Sequence, residues 1–395
     1  MTAESLIPIF ALFLLACGTI YLLLRFIKVD VPKGRFASID GLRGVLAFSV
    51  SIHHSMVWFY FLKTGGQWGL PYSVYTHLGP SSVAFFFMIT AFLFYSKLLD
   101  ARTRSMDWTR LYVSRIYRIM PLYIFAILVL FLVAGFESHF TLREYPLRLL
   151  SEFFQWLLFM QPDINNIASA HIIIAGVVWS LAFEWLFYCS LAWIGKIVFK
   201  IRTPIKVLIA TGLGFIIFLV IILYSYSHIL ARICPFAGGI AAAFLIRNSH
   251  IQRYCSGVWA SALLLVLIPL ILFFYPDVST PIPFIGICLV FLIIAGGNDI
   301  FGLLTNRLLR YLGMISYSLY LLHGTLLFSC FRFVIGAKKA IGFSPLEHWL
   351  VIGVCTILLI LLCTLTYFYI EKPALRKKAN FQRFPSEVVP NQATL

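Results

Sequence analysis

Asp40-Gly41-Leu42-Arg43-Gly44-Val45-Leu46-Ala47-Phe48-Ser49-Val50-Ser51-Ile52-His53-His54 opens on a charged pair, runs on through apolar residues and ends on two adjacent histidines. Such a run predicts a membrane-spanning helix with charge at its mouth and imidazole at its middle. An ionisable side chain at the centre of a bilayer costs about 3 kcal/mol or more, which makes it a candidate functional group by default.

The rest of the chain agrees. Of 395 residues, 61% are hydrophobic and only 12% charged, against roughly 25% charged in soluble domains. The fold class expected is therefore all-α, a polytopic integral membrane protein. The net charge of +16 sits in short basic loops between apolar runs. That is the positive-inside pattern, so no nucleic-acid partner is expected. The eight cysteines form no C-x-x-C and read as small hydrophobes. The nine histidines show no zinc spacing, and no metal is expected.

The first apolar run, Leu6 to Phe26, follows an uncharged-to-acidic start, and Arg25 and Lys28 stand at and just after its end. This is the reverse of a signal peptide and places the N-terminus outside. Ten further runs begin near residues 42, 78, 119, 178, 206, 229, 256, 281, 311 and 348. Segment 150–160 is apolar but short for a ~30 Å core, so it reads as interfacial or re-entrant. If it does not cross, the basic stretches from Lys97 to Arg118 and from Lys196 to Lys206 lie inside. So do Arg247, Arg253, Arg307, Arg310 and the tail from Lys372 to Lys378, which makes the C-terminus cytoplasmic.

Depth follows from the helix rise of ~1.5 Å per residue. His54 lies ~18 Å from the inner surface, His323 also ~18 Å, and Glu184, on a span running the other way, ~21 Å. Three ionisable groups from distant segments thus share one level. Adjacent residues point ~100° apart on a helix, so His53 and His54 are not expected to face one site. A second cluster, Asp40, Arg43, Arg115, Arg118, Arg310 and Glu371, falls at cytoplasmic span ends. Arg115 and Arg118 share a helix face, with Pro121 expected in the first turn. Arginines so placed suit phosphate groups. Ordinary readings stand beside these: the arginines as membrane anchors, Asp40 and Arg43 as a capping pair, Tyr317 and Tyr320 as packing.

The segments Asp40-Gly41-Leu42-Arg43-Gly44 with His54, Phe85 to Leu93, Arg115-Ile116-Tyr117-Arg118-Ile119-Met120-Pro121-Leu122-Tyr123, Trp179-Ser180-Leu181-Ala182-Phe183-Glu184-Trp185-Leu186-Phe187-Tyr188, Leu312 to His323 and Tyr369-Ile370-Glu371-Lys372-Pro373 together resemble, in this order, the integral-membrane acyltransferase-3 family. These are transmembrane O-acyltransferases of bacterial surface glycans. Two positions depart from the family pattern: Thr90-Ala91 stands where Ser-Gly is frequent, and Ala84 where Asp is frequent.

The resemblance implies a ten-helix core over residues 38–375, with an extra N-terminal helix and loop (1–37) and a cytoplasmic tail (376–395), in the bacterial inner membrane. It also implies transfer of an acyl group, most often acetyl, from cytoplasmic acetyl-CoA to a hydroxyl of a polysaccharide or lipid-linked saccharide. His54 is then the general base or acyl carrier, supported by Glu184 and His323. Arg43, Arg115 and Arg118 hold the donor's phosphates. Asp40, Trp179, Ser180 and Tyr320 are assigned to the acceptor, Trp179 by stacking. The spacing from Asp40 selects His54 over His53. The rival class is a membrane transporter, which also uses buried His and Glu. Against it, no internal repeat and no matched pair of broken helices is evident. The oligomeric state is not legible.

Overall fold

The computed structural model describes residues 2–31, 34, 36–71, 73–101, 106–275 and 280–381. The loop residues Lys33 and Arg35 and most of the tail 376–395 lie outside them. The described chain is helical, with a lone β-bridge between Ile164 and Ile167. Its main helices are α1 (Ile7–Phe26), α2 (Ala37–Lys63), α3 (Pro80–Asp100), α4 (Trp108–Glu137), α5 (Pro146–Leu157), α6 (Trp179–Ile197), α7 (Ile205–Ser225), α8 (Ile229–Leu245), α9 (Val258–Phe274), α10 (Pro281–Ala295), α11 (Arg307–Met314), α12 (Ser316–Ser329) and α13 (Pro345–Thr366).

Every expected apolar run is helical, and length and composition alone mark most of them as full spans. Six helices are long and apolar enough to cross a membrane, or eight if two bent pairs each count once. The eleven expected exceed this because α9 and α10 have only 17 and 15 residues, or about 25 and 22 Å at the helix rise. The helix α6 carries Glu184 and Lys196 and is less apolar. Two of the runs are also bent. The α8 helix turns by 113° into Ser249–Cys255, and α11 turns by 67° into α12.

Caps and prolines set several starts. Asp107 accepts from the Arg110 N–H at 2.8 Å and begins α4. Ser344 and Glu347 form a capping box at α13. Pro80, Pro281 and Pro345 occupy first turns of α3, α10 and α13, where the missing N–H costs nothing. Pro121, by contrast, lies well inside α4 and not in a first turn. Helix α5 has 12 residues, about 18 Å long, and does not cross. The chain turns back after it through Phe159 at φ 63°. The Trp156 indole donates to Pro162 O at 3.1 Å, and the Tyr123 hydroxyl donates to Trp156 O.

Burial runs opposite to hydropathy. Helix α7, of mean hydropathy 2.8 over its best window, is 22% buried there, whereas α2, at 1.4, is 72% buried. The greasier helix meets lipid, and the more polar one is wrapped by protein. Two apolar cores result, and α2 belongs to both: Ile39, Leu42, Leu46 and Val50 face the core of α3–α10, while Phe48, Ile52, Met56 and Phe59 face that of α1 and α11–α13.

Glycine lets α2 and α11 meet without side chains between them. A Cβ on Gly313 would lie 1.9 Å from Asp40 O, and one on Gly44 would lie 2.5 Å from Gly313 N. Small residues at such crossings bring backbones into van der Waals contact in membranes. Gly313→Ala is expected to destabilise the protein by about 1–3 kcal/mol through overpacking, seen as a lowered Tm in detergent. Gly18→Ala, whose added Cβ meets nothing within 4 Å, is the neutral comparison.

Candidate active site

Helix α2 carries Arg43 and His54 eleven residues apart, about 16 Å along its axis. Each lines a different cavity. A chamber of about 250 Å³ is lined by Arg43, Arg115, Arg118, Glu184, Tyr188 and Tyr317, among others. A second, of about 470 Å³, is lined by His53, His54, Trp179 and Arg232. Val83, Phe87 and Tyr320 belong to both walls. Helix α3 runs past the two chambers in turn, with Pro80 and Ala84 beside the histidines and Leu93 and Phe94 beside the arginines.

His54 and His323 meet directly. Nδ1 of His323 lies 2.9 Å from Leu319 O, one turn back on α12, and Nε2 lies 3.0 Å from His54 Nδ1. A carbonyl can only accept, so His323 carries its proton on Nδ1 and presents a bare Nε2. His54 Nδ1–H must then donate, shared between His323 Nε2 and Val50 O at 3.1 Å. This network assigns the tautomer of His54 and leaves its Nε2 lone pair free. His323 is fully buried and lines neither chamber, so it orients the neighbouring ring and does not meet a ligand.

His53 does share the chamber, contrary to expectation. Its ring lies 4.9 Å from that of His54, edge to face. The ~100° offset turns the two rings onto adjoining walls of one broad cavity. The Nδ1–H of His53 donates to Tyr75 O at 2.8 Å, and a Cβ on Gly79 would strike the ring at 2.6 Å.

Glu184 lines the arginine chamber and not the one that holds His54. Oε1 accepts from Thr90 Oγ1 at 3.0 Å and from the Tyr188 hydroxyl. Thr90, one of the two departures from the family pattern, is therefore a partner of Glu184. Ala84, the other, lines the histidine chamber. Ser180 Oγ and the Tyr320 hydroxyl lie 2.8 Å apart, and both reach Val177 O, at 3.0 and 3.1 Å. Ser180 lines the arginine chamber and Trp179 the histidine chamber, while Tyr320 stands in the wall between.

The arginines differ in their surroundings. Arg118 pairs with buried Glu371 at 3.1 Å, which also accepts from Ser318 at 2.5 Å. Arg115 stacks over Phe94 at 5.0 Å and its Nε donates to Ser114. Asp40 lines neither chamber. It lies among the charges of Arg43 and Arg310 and accepts from the Gly34 backbone. Arg310, whose Nε donates to Thr305 O at 3.0 Å, is likewise outside the chambers.

Besides His228, the sequence reading passed over one charged chamber residue, Arg232. The signal for it was a lone arginine at a span end that the positive-inside rule assigns to the outer face.

A family model described as an acyltransferase domain matches residues 36–367, well over half of the chain. No curated protein and no solved structure gives a significant match. The matched region holds α2 to α13 and every residue of the two chambers. The chain is a multi-pass membrane protein of the acyltransferase-3 family, and acyl transfer is its general activity.

Proposed function

We propose that the protein transfers an acetyl group from cytoplasmic acetyl-CoA to a hydroxyl of a saccharide that enters from the opposite face of the bacterial inner membrane. One observation carries this reading: a phosphate-suited chamber and an imidazole-bearing chamber share a single wall at Val83, Phe87 and Tyr320. Arg43, Arg115 and Arg118 meet the donor's phosphates by charge-assisted hydrogen bonds. The thioester end then extends along α2 and α3 toward His54. Positive-inside topology puts the arginine chamber, and the C-terminus with it, on the cytoplasmic side, and the N-terminus outside.

In the transfer, His54 Nε2 takes the proton of the acceptor hydroxyl as its oxygen attacks the thioester carbonyl. The tetrahedral adduct collapses, the carbon–sulfur bond breaks, and the CoA thiolate recovers the proton from the imidazolium. His323 Nε2 keeps its hydrogen bond from His54 Nδ1–H throughout, and so supports the imidazolium as the orienting member of a triad does. Trp179 offers an aromatic face to the sugar. Glu184, held by Thr90 and Tyr188, balances charge beside the donor.

His54→Ala is expected to lower acceptor acylation by about 10²–10⁴-fold at near-normal protein levels in the membrane. Transfer of label from radioactive acetyl-CoA is the measure, and retained activity would remove His54 from the mechanism. His323→Ala should lower kcat with little change in the KM for acetyl-CoA. Arg115→Ala should raise that KM about tenfold or more, and an unchanged KM would make Arg115 a membrane anchor only. Arg115 is a cleaner probe than Arg118, because losing Arg118 also strands Glu371 in the interior.

A further inference from the structure

Arg232 has no part in the chemistry above, yet it lines the chamber where that chemistry ends. It stands in the first turn of α8. Its guanidinium carbon lies 4.5 Å from the Trp179 ring centre, 5.7 Å from that of Tyr226 and 5.9 Å from that of Phe183. The aromatic faces hold the cation by its π surface and leave its in-plane N–H groups for other acceptors. One of them, NH1, is buried without a hydrogen-bond partner. Guanidinium stays charged in proteins and cannot relieve such a deficit by losing its proton. A buried charged donor left unpaired is costlier than a neutral one.

The chamber contains nothing to answer it. Its described lining has His53, His54, His228 and Arg232 but no Asp or Glu, and the half-buried carboxylate of Glu184 belongs to the other chamber. A stacked guanidinium with free in-plane donors is the arrangement that recognises carboxylate or phosphate oxygens.

We propose that Arg232 recognises an oxyanion on the acceptor, so that the acceptor is an acidic saccharide. Its carboxylate or phosphate group meets Arg232 while a sugar face rests on Trp179 and a hydroxyl reaches His54. Arg232 would then select among saccharides and take no part in proton transfer. This inference rests on the acyl-transfer reading of the same chamber.

The test is equilibrium binding to the purified full-length protein in lipid nanodiscs, followed by calorimetry. The probes are methyl glucuronide against methyl glucoside, and glucose 6-phosphate against glucose. Wild type is expected to bind at least one acidic member roughly tenfold or more tighter than its neutral partner, and whichever acid wins names the oxyanion. Arg232→Gln should bring the pair to within about twofold, and Arg232→Lys should fall between, because lysine is a point charge without the planar fork. Equal binding of acidic and neutral sugars by wild type overturns the proposal, as does the absence of any saccharide binding or an acid preference that survives in Arg232→Gln. The wild-type comparison decides even if a variant fails to fold. A wild-type protein that prefers acidic saccharides but transfers no label from acetyl-CoA to any acceptor leaves the Arg232 site standing and overturns the donor assignment instead.

Discussion

The crossing of α2 with α11 is the contact on which the site depends. Asp40 O and the Gly313 Cα are too close for any side chain between them, and this fixes both the depth and the rotation of α2 against the C-terminal helices. The bend of 67° between α11 and α12 then carries α12 away at the angle that brings His323 to within 3.0 Å of His54. Glycines at 44 and 313 therefore govern a histidine pair more than two helical turns away. Packed cores transmit displacement because they are dense and resist deformation, so a shift at this crossing would reach the imidazoles.

Polar groups in the interior form short chains that end on the protein's own backbone. The hydrogen bond from His54 to His323 ends at Leu319 O, that from Tyr320 at Val177 O, and Glu371 ties Arg118 to Ser318. Satisfied in this way, each group keeps one orientation, as buried polar networks do when every member has a partner. Of the buried polar atoms without a hydrogen-bond partner among the described residues, Arg232 NH1 is the cationic one, in the chamber whose described lining has no acid.

Axial position was legible in the sequence because helix rise is constant, and so His54 and His323, which meet at 3.0 Å, could be placed at one level from their spacing alone. Which neighbours each would meet was not legible, since that depends on how helices are rotated and ordered around one another. Glu184 sits beside Thr90 and Tyr188, away from the imidazoles, for that reason. The start of α4 was misplaced because the apolar run begins at Ile119. The turns before it, with Arg110, Arg115 and Arg118, look like a loop until Asp107 is recognised as their cap. Short spans such as α10 and the bend at Ile315 were likewise hidden, because an apolar run records affinity for lipid and not straightness.

The wall of Val83, Phe87 and Tyr320 has an electrical consequence. A membrane that stores energy as an ion gradient cannot tolerate a water-filled path through one of its proteins. On the proposed reading, two solvent-reaching cavities approach each other from opposite faces here, and the insulating layer thins to a few side chains, one of them a Tyr320 whose hydroxyl is engaged with Ser180 and Val177. An acetyl group carries no net charge, so it can be handed across such a septum while the phosphates of its donor remain behind. On that reading, the same partition that lets acyl chemistry reach the far side keeps the bilayer's electrical resistance intact.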